Sequence, residues 1–242
     1  MGMIEHVQAL TGPVGDLGGR WMLAEETIGG AREWGYPNGY AYYVVGRGGV
    51  LGDVGSDVVA SAFGFFAPGL VRKMWEAGVG VEGAAASANR YAAACAQFGR
   101  SRLQGFGGAA RLADLAGRVA AHADATGLAL FAGWRAQPLP DDAEGRAFFL
   151  MHVLRELRGS AHIVAVVASG LAPVEAVLAT GGEENAQRFG WAGPFAEVAP
   201  DAKHAAEALT DRIVARLYGA VLSDDEAGEL VGLVRDMRKH MS

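Results

Sequence analysis

The sequence predicts an all-α fold, a multi-helix orthogonal bundle around a long central helix at about residues 142–169. Three observations carry this. Apolar residues recur at helical spacing along most of the chain. The run from Asp142 to Ser169 has a start signal and a stop signal with no proline between them. The one strand-like run, Tyr40 to Val45, has no partner strand. At 242 residues, 51% hydrophobic and 20% charged, the chain can bury a large core and does not read as disordered. We treat 1–242 as a single helical domain, with a subdivision conceivable near 135–141.

In chain order, Leu17, Trp21, Ala24 and Ile28 recur at helix spacing and predict a first helix, weakened by Gly15, Gly18 and Gly19. Tyr36-Pro37-Asn38-Gly39 is a turn, and Tyr40 to Val45 reads as a buried helical turn. Gly46 to Gly55 reads as a glycine-rich loop. Ser56 or Asp57 caps a helix through Phe66, Pro68 breaks it, and another runs from Gly69 to Ala77. Helices are predicted at about 83–98, 109–123 and 128–134. Pro138 and Pro140 stop the chain before Asp141 or Asp142 caps the long helix, which ends at Ser169-Gly170. Pro173 opens a helix through Leu178, and Gly181 to Pro200 is loop-like. Two helices close the chain, at 201–218 and from Ser223, whose Ser-Asp-Asp-Glu226 is a capping box.

The long helix carries the most informative residues. His152, Arg155, Glu156, Arg158 and His162 sit in an otherwise apolar segment. At roughly 100° per residue, Arg155, Glu156, Gly159 and His162 fall within about a third of a turn of His152, with Arg158 at the margin. Polar groups at that density must pair with one another, with backbone or with a ligand. Three functional readings compete with a purely internal network in which Glu156 pairs with Arg155 or Arg158. His152 and Glu156 could share a metal, with His162 reaching in. An arginine could clamp a carboxylate or phosphate while a histidine moves a proton. A flat cofactor such as haem could take an axial histidine. No metal ligand set is assigned, and haem or metal is the less favoured reading.

The glycine-rich segment Gly46 to Gly55 matches neither G-x-G-x-x-G nor the P-loop. It reads as a turn that brings Arg47 and Asp53 toward the core. Tyr42, Tyr43, Phe63, Phe65, Phe66 and Trp75 read as core. Cys95 is the single cysteine and reads as a small buried apolar residue, so no intrachain disulfide forms. No G-x-S-x-G, H-E-x-x-H or C-x-x-C occurs. A net charge of −6 and the lack of a Lys/Arg stripe argue against nucleic acid as the main partner. The N-terminus has no signal-peptide pattern and no apolar run is long enough to span a bilayer, so the expectation is a cytoplasmic protein without a membrane partner.

Several segments together are similar to a known family. These are Tyr43-x-x-Gly46-Arg47-Gly-Gly-Val-Leu51-Gly52, Phe63-Gly-Phe-Phe-Ala-Pro68, His152-x-x-Leu-Arg155-Glu156-x-Arg158-Gly159-x-x-His162 and Ala208-Leu-Thr-Asp211-Arg-Ile. The chain resembles a group of actinobacterial proteins catalogued as helix-turn-helix proteins, most specifically at 152–162. The resemblance implies a winged-helix-like segment before the closing helices, yet only Gly181 to Lys203 occupies that interval. It also implies Glu-Pro-x-His in the first helix, where Gly12-Pro13-Val14-Gly15 stands.

Two functional expectations follow. The first is a protein that binds a small organic, anionic molecule in an interhelical pocket, with acid/base chemistry of lyase, isomerase or cyclase type if it is an enzyme. His152 and His162 would exchange protons, Glu156 would orient one of them, and Arg155 would hold the anion. Arg158 and Gly159 would border the ligand, and Arg47 and Tyr43 would face it. On this expectation His152→Ala abolishes function and leaves the fold cooperative. The second is a non-enzymatic ligand-sensing or regulator-like protein. A homodimer is compatible with either.

Overall fold

A computed structural model describes residues 2–195 and 200–242. Among the described residues the chain forms twelve α-helices and no strand. They are α1 Met3–Gly19, α2 Glu25–Ile28, α3 Gly39–Gly48, α4 Ser56–Phe63, α5 Pro68–Glu82 and α6 Ala84–Arg102. There follow α7 Ala109–His122, α8 Ala129–Arg135, α9 Ala143–Ala168, α10 Pro173–Arg188, α11 Pro200–Gly219 and α12 Asp224–His240. The all-α bundle around a long central helix is the architecture the sequence predicts.

The central helix is α9. Asp142 caps it by accepting from the Gly145 amide at 2.7 Å, and Arg100 holds the same carboxylate. Phe148, Phe149, Met151, Val153, Leu154 and Leu157 are all buried, so the helix is apolar nearly all round, as a core helix must be. Helices α1, α6, α7, α8 and α11 pack against it. One contiguous core runs from Val7 in α1 to Met237 in α12. Among the described residues no single helix is long and apolar enough to cross a membrane.

Where α1 crosses α9 the two backbones nearly touch. A Cβ at Gly18 would stand 2.7 Å from the Met151 carbonyl oxygen and 2.8 Å from the Arg155 Cβ. Only glycine fits there, and its presence sets how deeply α1 enters the site.

Beyond Asp53, which is exposed and not turned toward the core, four expectations need correction. The Leu17–Ile28 periodicity spans two helices, because the chain turns at 20–24 while Leu17 and Trp21 both stay on the same core. Gly46, Arg47 and Gly48, assigned to a loop from the sequence, lie inside α3, which is followed by a 3-10 turn at Gly49–Leu51. These glycines serve packing, since a Cβ at Gly46 would lie 2.7 Å from the Tyr91 ring. Helix α10 extends past Leu178 to Arg188, broken at Gly182 (φ 67°), so only 189–195 of the predicted loop is irregular among the described residues. Residues 196–199 of that loop lie outside the described residues. Finally, Phe65 and Phe66 are only partly buried, in the turn between α4 and α5, whereas Tyr42, Tyr43, Phe63 and Trp75 are core.

Candidate functional site

The polar stripe of α9 organises around Glu156. Its carboxylate is 1% exposed and receives a two-pronged ion pair from Arg47, with Nε to Oε1 at 3.0 Å and Nη2 to Oε2 at 2.9 Å. Arg155 donates a third bond, Nη1 to Oε1 at 2.9 Å. Arg47 reaches Glu156 because α3 is buried along most of its length and turns the guanidinium over the Phe63 ring, 4.5 Å from its centroid. Its Nη1 donates to the Tyr43 hydroxyl one helical turn back, at 3.2 Å. Burial works against the Glu156 charge, but the Arg47 and Arg155 charges outweigh it and bring the carboxyl down to about 2. Burial likewise opposes the charge on Arg47, and Glu156 overrides it, holding the guanidinium above its ordinary value.

His152 lies deeper. It is fully buried between Trp21 and Trp134, whose rings meet it edge-on at 5.1 and 4.3 Å. Its Nδ1 is 3.2 Å from the Gly18 carbonyl, which can only accept, so Nδ1 carries the proton. The other nitrogen, Nε2, is 4.0 Å from Glu156 Oε1. Burial brings His152 down to about 4, against the pull of the Glu156 charge, so the ring is neutral at pH 7.

At the other end of the stripe α11 supplies the partners. Arg158 donates to Glu207 at 2.8 Å and to the Thr11 hydroxyl at 3.1 Å. His162 Nδ1 is 2.8 Å from Thr210 Oγ1, and its Nε2 is 3.6 Å from Glu207. Since the Thr210 hydroxyl donates to the Ala206 carbonyl at 2.7 Å, its oxygen is free to accept from His162. Burial lowers the His162 pKa, with Glu207 opposing.

A cavity of about 350 Å³ opens over this surface. Arg47, Arg155, Glu156, Arg158, Gly159 and His162 line it, together with Glu207. Phe63, Phe65, Phe66 and Phe189 supply its aromatic lining, and α10 contributes Val177, Thr180 and Asn185. Six of the eight residues singled out from the sequence therefore meet at one cavity. His152 and Tyr43 do not line it; each touches the network from behind. A Cβ at Gly159 would meet nothing within 4 Å, so this glycine leaves open space on the cavity side.

Residues 14–193 match the profile of a helix-turn-helix family. The chain belongs to that family. No curated protein and no solved structure matches it. The matched span includes every cavity-lining residue named above except Glu207, which α11 adds from beyond it. Within the family span, α4, the four-residue turn Gly64–Ala67 and α5 follow one another as helix, turn and helix. Gly64 has φ 53° and opens that turn.

The internal-network expectation that Glu156 pairs with Arg155 or Arg158 holds through Arg155, while Arg158 turns to Glu207 and the main partner, Arg47, was not foreseen; of the two histidines expected on carbonyls, His152 is on one and His162 is on the Thr210 hydroxyl. The shared-metal geometry is absent, because His162 turns to α11 while Glu156 is taken by two arginines. Among the described residues no group of three His, Cys, Asp or Glu side chains is arranged to hold a metal ion. Sequence reasoning missed Glu207, Thr210 and Phe189, and it placed Phe65 and Phe66 in the core. For Glu207 and Thr210 the available signal was their i, i+3 spacing on one face of a closing helix. For Phe65 and Phe66 it was their place between two helix breakers, Gly64 and Pro68.

Proposed function

We propose that the protein is a non-catalytic, ligand-sensing member of its helix-turn-helix family, and that the cavity over α9 holds a small organic anion. The charge balance of the wall carries this reading. Three arginines, Arg47, Arg155 and Arg158, face two glutamates, Glu156 and Glu207, so among the described residues of the wall one positive charge is left unmatched. Arg155 is the arginine with capacity to spare. It is 31% exposed, and among the described residues only its Nη1 donates to a partner. A carboxylate satisfies such a guanidinium with paired hydrogen bonds, and does so more strongly in a partly dehydrated cavity than in water.

The regulator-like side of the reading is supported by family membership and by the α4–turn–α5 unit. Phe65 and Phe66 of that turn line the cavity, so a ligand seated there touches the unit directly. Helix α5 itself exposes Arg72, already paired with Asp57, and Lys73, with Glu76 one turn on. Contact with DNA through this helix would neutralise about two phosphates, which gives a log–log salt slope no steeper than about −2.

The test is equilibrium binding of benzoate followed by calorimetry and thermal shift, with Arg155→Ala beside the parent, and a gel shift with generic duplex DNA across a salt series. Binding lost at least tenfold in a normally folded Arg155→Ala supports the reading. A parent protein indifferent to benzoate and other organic acids refutes it. Acid/base chemistry is the second reading, favoured by His162, an imidazole on the cavity wall that burial biases toward its neutral form. Conversion of a bound acid by the parent but not by His162→Gln would establish it.

A further inference from the structure

On the reading that the cavity holds an organic anion, we infer that its ligand is an aromatic monocarboxylate, the carboxylate seated on Arg155 and the ring against Phe66 and Phe189. The charge count selects the head group. One unmatched positive charge is neutralised by one negative charge, and a phosphate dianion would leave an excess negative charge beside Glu156 and Glu207. A guanidinium presents parallel N–H donors that match the two oxygens of a carboxylate.

The aromatic lining selects the body of the ligand. Phe66 and Phe189 pair at 4.4 Å between centroids with planes tilted by 35°, and Phe63 meets Phe66 at 5.6 Å and 64°. Phe65 lies 5.4 Å from the His162 ring. These rings are held by hydrogen bonds between two distant segments. The Ala67 amide donates to the Phe189 carbonyl at 2.8 Å, and Trp191 Nε1 donates to the Phe65 carbonyl at 2.8 Å. The aromatic wall is thus organised before any ligand arrives, which lowers the ordering cost of binding. A flat ring gains face and edge contacts with such a wall that a saturated ring of the same size does not.

Three matched probes test this: 1-naphthoate, its saturated counterpart decahydronaphthalene-1-carboxylate, and 1-naphthyl phosphate. Dissociation constants are measured by calorimetry on the full chain and on Phe189→Leu and Arg155→Gln, each checked for a cooperative melt. We expect 1-naphthoate to bind at least tenfold more tightly than either of the others, a gap of about 1.4 kcal/mol. Phe189→Leu should narrow the gap between aromatic and saturated acids, and Arg155→Gln should remove binding of both. Equal binding of the saturated acid, or tighter binding of the phosphate, overturns the aromatic monocarboxylate and leaves the anion reading standing. No binding of any probe by the folded parent overturns both.

Discussion

Gly159 gives the sharpest test of the site, because the same position makes opposite demands on stability and on binding. It lies in the interior of α9, where glycine is about 0.8–1.0 kcal/mol worse than alanine. A Cβ there would meet nothing within 4 Å, so Gly159→Ala carries no steric cost and should stabilise the protein by about 1 kcal/mol. For a chain of this size that is a rise in melting temperature of about 2–4 °C. Gly159→Phe should keep the fold, since the new ring enters a cavity and not a packed interface, but it fills the space in front of Arg155 and should weaken aryl carboxylate binding at least tenfold. Gly18→Ala is the control. Its Cβ would collide with the Met151 backbone, and overpacking of this kind costs about 1–3 kcal/mol. Urea unfolding followed by circular dichroism reads stability, with an unchanged slope confirming that the unfolded state is unaffected. Calorimetry reads binding. The reasoning is refuted if Gly159→Ala destabilises, or if Gly159→Phe binds 1-naphthoate as tightly as the parent.

Three further outcomes are expected. Glu156→Ala strands Arg47 in the core and should cost about 3–5 kcal/mol in urea unfolding, against about 1 kcal/mol or less for Glu184→Ala in an exposed pair. His152→Ala should destabilise by about 2–4 kcal/mol, through the void left between Trp21 and Trp134, while changing aryl carboxylate affinity no more than a few-fold, contrary to the sequence-based expectation. Acid should lower stability over two pH windows: between about pH 6.5 and 4 the unfolded state binds a proton at His152 that the native state refuses, and from about pH 4.5 toward 2 it binds one at Glu156. Both losses run the same way, and the first amounts to about 3 kcal/mol; a melting temperature flat from pH 7 to 4 would contradict it.

Local signals were readable without the structure and tertiary ones were not. Asp142 and Ser223 cap their helices through bonds spanning three residues, so the sequence around them contains both partners. The stripe on α9 was readable for the same reason, since helical geometry alone puts Arg155, Glu156 and Gly159 on one face. The identity of Glu156's main partner was not, because Arg47 is 109 residues away and only the packing of α3 brings it in. Glu207 and Thr210 carry no motif and gain meaning only beside Arg158 and His162. The glycines at 46–49 misled in an instructive way. Composition reads a run of glycines as a loop, whereas here Gly46 lets Tyr91 approach a helix closely and Gly49 does the same for Ala84 in the turn that follows.

The Arg47–Glu156–Arg155 cluster is poorly explained as a device for stability. Taking Arg47 and Glu156 out of water costs several kcal/mol per ion, and a well-packed apolar set of similar volume is often as stable or more so. Nor does the cluster close a gap in the core, since Met151, Leu154 and Leu157 already bury α9 on its other sides. Its chemical distinction is asymmetry. Arg47 is spent on Glu156 through two bonds, Arg155 through one, and the side of Arg155 that remains faces a cavity. An internal network built only to satisfy itself would pair one carboxylate with one arginine and leave no donor over. The second arginine keeps donors that no described residue takes up, and the aromatic lining of the same cavity is where their use can be found.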